Sequence, residues 1–179
     1  MSDAANKAAP DFSRPIEALK ACHARLRREC VTLRELVEHM KSHGCDERAR
    51  QAASGVMRYF DTAARHHHTD EEEDLLPRMM AAATIHSGSK LTRLVADIAT
   101  EHREMDRIWK DLRVVLQAIS AGENTTLDPL AVDRFAKLYA THIAAEETDI
   151  FPLAETLLSK SELAKIGTSM AKRRGGERC

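Results

Sequence analysis

A histidine and a glutamate four residues apart occur twice in this chain of 179 residues, each time within the same longer motif. Residues 67–77 read HHTDEEEDLLP, and residues 142–152 read HIAAEETDIFP. At an offset of 75 positions they share H-x-x-x-E-E-x-D, two apolar residues and a proline. Residues four apart lie on one face of an α-helix, so each motif predicts an imidazole beside a carboxylate. The pairs are His67 with Glu71, and His142 with Glu146.

Two more histidines, His23 and His102, occupy positions in helical stripes whose other members are mostly apolar. The two stripes match each other at an offset of 79 positions, so the chain is predicted to contain two related helical hairpins. Counting residues from the expected turns places all four histidines at similar heights. A polar group on a core face costs free energy unless it is satisfied, so four such histidines require a common explanation.

The predicted layer offers four imidazoles and two carboxylates. This set is too large for one tetrahedral zinc ion and suits two first-row transition metals bridged by carboxylates, which helix bundles are known to hold. The alternative is a structural polar layer in which the groups satisfy one another, because buried carboxylates need partners.

Four amphipathic helices would position this layer, at about residues 13–43, 46–83, 90–121 and 129–157. Gly44, a Ser-Gly-Ser joint at 87–89 and Gly122 are expected to separate them, and Pro77 to kink the second helix or end its regular part. Short joints predict an all-α, up-down-up-down four-helix bundle, and residues 161–170 are a candidate short fifth helix. The domain prediction is a disordered tail at 1–12, the bundle at 13–158, and a short helix with a solvated basic tail at 159–179.

The composition narrows the class of partner. The 27 Lys and Arg against 28 Asp and Glu give a formal charge of −1, which argues against a dedicated nucleic-acid binder. No apolar run approaches the roughly 20 residues of a membrane span, so no membrane partner is expected. The polar N-terminal segment has no apolar signal core, which predicts a cytoplasmic location.

Several polar residues near the motifs must be assigned to a side of their helix. The match through the proline selects His67 from three consecutive histidines, so His66 and His68 are expected to flank the site as surface or outer groups. Glu72 and Glu147 are turned about 100° from the ligand face and are expected to be outer acceptors or solvated charges. Three histidines are predicted away from the layer, two on the surface and the last in a joint: His39, His43 and His86.

The doubled motif, with one isolated histidine on the first and third helices, resembles the hemerythrin-like, cation-binding HHE family over about residues 15–158. The resemblance implies a non-haem di-iron centre, in which two iron ions are bridged by two glutamates and an oxo or hydroxo group. The iron ligands that it implies are His23, His67, Glu71, His102, His142 and Glu146.

The chain departs from the oxygen-carrying hemerythrins at one position. Those proteins have a second histidine four residues after the helix-three histidine, and Asp106 stands there in this chain. Two alternatives stay open: Asp106 is a further ligand, or it is a solvated carboxylate beside Arg103 and Lys110. In the second case one metal has one protein ligand fewer, which argues against simple reversible oxygen carriage.

Three functions are compatible with these residues. The first is a protein that binds or senses oxygen, nitric oxide or iron. The second is a di-iron protein of iron–sulfur cluster repair or nitrosative stress; such proteins usually carry a cysteine-bearing N-terminal module, and only about 14 polar residues precede helix one here. The third is a metal-free helical interaction module. A four-carboxylate oxidase is disfavoured, because the layer has more imidazoles than carboxylates. The sequence does not decide between binding protein and enzyme, nor does it identify a protein partner.

Overall fold

The computed structural model of the protein describes residues 11–83 and 85–175, with the backbone alone for residues 85–87. All regular structure in these ranges is helical. The α-helices are α1 (Pro15–His43), α2 (Glu47–Asp61), α3 (Ala63–Thr69), α4 (Leu76–Ala82), α5 (Ile85–Ser120), α6 (Pro129–Ala145), α7 (Phe151–Leu157) and α8 (Lys160–Arg173). Two π-helical turns interrupt them, the first π turn at Asp70–Leu75 and the second π turn at Glu146–Ile150.

These helices form the four arms of a bundle. The first arm is α1 and the third is α5; the second runs from α2 through the first π turn to α4, and the fourth from α6 through the second π turn to α7. Arms one and three each pack against arms two and four. Neighbours in sequence are therefore neighbours in space, which confirms the predicted all-α, up-down-up-down four-helix bundle. Helix α8 confirms the short fifth helix.

Local sequence signals explain most helix ends. Gly44 and Gly122 end α1 and α5 with φ values of +68° and +91°, which glycine adopts without the steric cost of a Cβ atom. Asp46 and Asp128 cap α2 and α6, because each side chain accepts a backbone N–H from the first turn.

One joint and one break within an arm differ from the prediction. The Ser-Gly-Ser joint at 87–89 is wrong, because α5 already begins at Ile85. Ala83 ends α4 in an extended conformation, so the chain turns earlier, and Gly88 is tolerated near the start of the helix with open space around it. The second arm also breaks at Thr62, whose φ of −125° and ψ of −80° are not helical.

The polar layer divides the hydrophobic core into two clusters. Leu19 and Ile98 belong to one cluster, and Leu26 and Met105 belong to the other. His23 and His102 lie between these residues along α1 and α5. Each face of the layer is therefore sealed by a packed apolar cluster, which keeps bulk water away from the polar groups.

Helix α8 closes one end of the bundle. Gly167 packs so tightly on the N-terminal segment that an added Cβ atom would stand 1.8 Å from the carbonyl oxygen of Phe12. Arg173 and Arg174 form ion pairs with Asp70, a fully buried carboxylate of the first π turn. The expectation of a solvated basic tail is therefore wrong for these two arginines. Residues 1–10 of the predicted N-terminal tail, and residues 176–179, lie outside the described residues.

Candidate metal centre

The six predicted ligands come together in one buried layer. Their ligand atoms form two groups, each with members within 4.8 Å of one another. The first group is His23, His67, Glu71 and Glu146, and the second is Glu71, His102, His142 and Glu146. Every one of these residues is at most 2% exposed. The two carboxylates belong to both groups, so they lie between two pairs of histidines.

The distances resolve how each carboxylate is shared. One oxygen of Glu71 lies 3.1 Å from Nε2 of His67, and the other lies 3.5 Å from Nε2 of His102. The oxygens of Glu146 lie 3.0 Å from Nε2 of His23 and 3.3 Å from Nε2 of His142. Each glutamate therefore points one oxygen at each group, as a carboxylate that bridges two metal ions would do.

The π turns place these two glutamates. The N–H of Leu76 donates to the carbonyl of Glu71, and the N–H of Phe151 donates to the carbonyl of Glu146, five residues back in each case. A proline follows each donor and cannot give an N–H to a regular helix, so the wider turn ends where the proline begins the next helix. The kink predicted at Pro77 is thus a π turn that lies before the proline.

Three further carboxylates hold the outer ring nitrogens. Nδ1 of His23 lies 3.0 Å from Glu147, and Nδ1 of His102 lies 2.7 Å from Glu72. The outer-acceptor alternative for these two glutamates is therefore the observed one. Nδ1 of His142 lies 2.7 Å from Glu101, a residue outside the pattern from which the ligands are predicted. An Nδ1–H donated to a carboxylate leaves Nε2 with its lone pair directed at the layer.

The centre is short of hydrogen bonds among the described residues. Both ring nitrogens of His67, both oxygens of Glu71, Nε2 of His23 and one oxygen of Glu146 are buried without a hydrogen-bond partner there. Some of these atoms are close to one another, but their directions do not suit a hydrogen bond. Buried polar atoms are rarely left in this state, and a cation accepting their lone pairs would satisfy them. The donor set, which is imidazole and carboxylate alone, fits first-row metal ions.

Burial governs the charges of the layer. Desolvation and the neighbouring imidazoles hold the pKa of His67 well below its usual value, so this imidazole is neutral. Desolvation and the nearby Glu146 carboxylate hold the pKa of Glu71 well above its usual value. Two adjacent buried carboxylates oppose each other's ionisation, and cations placed between them would remove that conflict. Neutral imidazole and ionised carboxylate are the forms that bind metals.

Comparison with known proteins identifies the family of the chain. The family model described as the hemerythrin HHE cation binding domain matches residues 14–154. The chain belongs to this family. A Haemophilus influenzae protein described as uncharacterized is 29% identical over 163 residues, which cover 91% of each chain. All six residues implied by the resemblance lie inside the matched range, whereas α8 lies beyond it.

The described residues of this HHE domain contain no helix that is both long and apolar enough to cross a membrane.

The structure resolves the alternatives for Asp106. This carboxylate is exposed on α5 and belongs to none of the clusters that could hold a metal among the described residues. The solvated alternative is therefore the observed one, and Asp106 does not replace the missing histidine of this HHE domain.

The flanking histidines behave differently from one another. His66 is half-buried and outside the clusters, as expected. His68 is buried and forms a third cluster with His102 and His142, which the regular helical phase from His67 did not indicate.

His39 and His43 stack on each other near the end of α1, and His39 contacts Asp46 at 2.8 Å. The side chain of His86 lies outside the described residues, and its backbone lies within α5 rather than in a joint.

Proposed function

We propose that this HHE domain holds a non-haem di-iron centre. His23 and His67 would bind one iron, His102 and His142 the other, and both glutamates would bridge the two ions. The observation that carries the proposal is the shared placement of Glu71 and Glu146, each with one oxygen toward each histidine pair. The imidazole and carboxylate set also suits zinc or manganese, and membership of the family favours iron.

The outer carboxylates orient three of the four proposed histidine ligands, namely His23, His102 and His142. Glu147 accepts from His23 while Arg27 holds both oxygens of that glutamate, at 3.0 and 2.9 Å. Glu72 and Glu101 orient His102 and His142 in the same way, and these two imidazoles form what we call the second metal position. His23 and His67 form the first. A carboxylate on the outer nitrogen raises the basicity of the inner nitrogen and prevents the ring from turning. These contacts restrict the rotation of the three rings, which reduces the cost of ordering them when a metal binds.

The burial of the layer limits which molecules can reach it. His67 and His142 are 0% exposed, and apolar clusters cover both faces of the layer. When bound, a pair of iron ions would supply redox chemistry toward small molecules such as oxygen. We therefore propose binding or sensing of a diatomic ligand as the activity, in preference to the conversion of a bulky substrate. The cytoplasmic location stays a prediction of the sequence.

Spectroscopy under controlled atmosphere tests this function. Protein loaded anaerobically with ferrous iron is exposed to oxygen, or separately to nitric oxide, and its ultraviolet and visible absorption is followed. The proposal predicts new absorption bands that a His102→Ala variant does not develop. Bands that vanish when the gas is removed would support binding or sensing. Folded protein that takes up iron but gives the same spectrum with and without either gas would contradict the proposed activity.

A further inference from the structure

The histidine run of α3 serves both halves of the layer. His67 packs edge-on against His23, with ring centroids 4.7 Å apart. His68 instead stacks on His102 with ring centroids 3.9 Å apart and an angle of 12° between the planes. Adjacent helical residues point about 100° apart, so two consecutive histidines can face two neighbouring positions of one layer.

The ring of His68 lies close to the second histidine pair. One of its nitrogens is within 4.8 Å of the ligand nitrogens of His102 and His142, and the side chain is buried. Nε2 of His68 also lies 3.4 Å from the hydroxyl of Tyr139. The second position is thus surrounded by three imidazoles and two carboxylates.

The internal repeat shows that this arrangement exists in only one half of the molecule. The offset of 75 that relates the two motifs places Ile143 where His68 stands, and Ala64 where Tyr139 stands. Ile143 is a fully buried member of the apolar core. The first position therefore keeps two imidazoles, although the rest of the two motifs matches residue for residue at the ligand positions.

We propose that His68 is a third imidazole ligand of the metal ion held by His102 and His142, so that the two metal positions differ in their ligands. This inference rests on the proposed di-iron centre. Asp106 is exposed on α5 and does not supply this ligand. In the proposal, His68 supplies it from the second arm of the bundle.

Stepwise metal binding separates His68 from its neighbours. Wild type, His68→Gln and His66→Gln are titrated anaerobically with ferrous iron against a competing chelator, and circular dichroism checks that each is folded. We expect two binding events in wild type and in His66→Gln. In His68→Gln the first event should persist, while the second weakens at least about tenfold, since even the loss of an outer hydrogen-bond partner costs about 10–100-fold.

A second measurement needs no variant that might alter folding. Wild type labelled with ¹⁵N in histidine is loaded either with Zn²⁺ or with ferrous iron. In the Zn²⁺ form, nuclear magnetic resonance identifies the imidazole nitrogens that coordinate the metal. In the iron form, with one of the two ions oxidised, pulsed electron–nuclear methods identify them. Five coordinating imidazoles are expected.

The outcomes are distinguishable. Two equally tight iron ions in His68→Gln, or only four coordinating imidazoles in wild type, would overturn the role of His68 and leave the di-iron proposal standing. Wild type that binds no iron would overturn both.

Discussion

Nδ1 of His23 lies 3.0 Å from Oε1 of Glu147, which joins the first arm of the bundle to the fourth across 124 positions of sequence. The internal repeat produces the matching contact, in which Nδ1 of His102 lies 2.7 Å from Oε1 of Glu72. The second glutamate of each motif therefore orients the isolated histidine of the other hairpin. In each motif, therefore, the first of the two consecutive glutamates faces the layer. The second accepts from the outer ring nitrogen of a histidine in the other hairpin.

This division predicts a loss of metal affinity when the outer contact is removed. In Glu147→Ala, the imidazole of His23 loses its acceptor, so we expect iron affinity to fall about 10–100-fold while the bundle stays folded. Competitive titration with ferrous iron under anaerobic conditions measures the change. Glu155→Ala removes an exposed carboxylate from α7 and serves as the control. Equal affinities for both variants would show that the outer contact does not support the centre.

The isolated histidines make a second prediction. His102→Ala removes an imidazole from the layer, so we expect the iron content per chain to drop sharply. His39→Ala also removes a helical histidine, but one that contacts Asp46 near the end of α1, so its iron content should match that of wild type. Elemental analysis of both purified proteins gives the comparison. The ligand assignment would be wrong if the two variants loaded iron equally.

The sequence predicted the layer because its signals are local and repeated. His23 and His102 interrupt apolar stripes, and the spacing of His67 and Glu71 is a property of one helix turn. The π turns were less accessible, because a period of 3.6 residues assumes regular helix, although the proline at a fixed distance from each glutamate was a signal. The joint at 87–89 was wrong because serine and glycine are also tolerated in the first turns of a helix.

His68 and Glu101 depended on tertiary structure. Both residues adjoin a predicted ligand, and regular helical phase turns them about 100° away from it. Their role is set by the neighbouring arm, which brings His102 beside His68 and His142 beside Glu101. A pattern within one helix cannot report which residue of another helix it will meet. The motif repeat contained one indication, because the residue that matches His68 at the offset of 75 is the apolar Ile143. The two motifs therefore differ at this position.

The surroundings of two glycines predict opposite effects of an added methyl group on stability. Gly167→Ala would force a Cβ atom against the backbone of Phe12, so we expect a loss of about 1–3 kcal/mol in the free energy of unfolding. Gly55→Ala, within α2, meets nothing within 4 Å and should gain up to about 1 kcal/mol from helix propensity. Urea denaturation measures both. A Gly167→Ala protein as stable as wild type would contradict the close packing of α8.

The buried carboxylate of the first π turn gives a further stability prediction. Asp70 is 0% exposed and pairs with Arg173 and Arg174, so Asp70→Asn would remove both ion pairs, while Arg173 keeps its contacts with Asp74 and Glu73. Breaking a buried ion pair typically costs about 3–5 kcal/mol, and we expect a loss of that order in urea denaturation. Asp133→Asn removes the exposed partner of Arg34 and should change stability little. Similar denaturation midpoints for the two variants would show that the α8 contact does not stabilise the turn.

The stoichiometry of iron tests the central claim most directly. Wild-type protein is loaded anaerobically with ferrous iron, freed of excess metal, and analysed for iron and for protein concentration in the same sample. Carboxylates that each face two histidine pairs predict two iron ions per chain. A folded protein that retains one ion or none would contradict the bridged pair, and the His and Glu layer would then be a structural feature of the bundle.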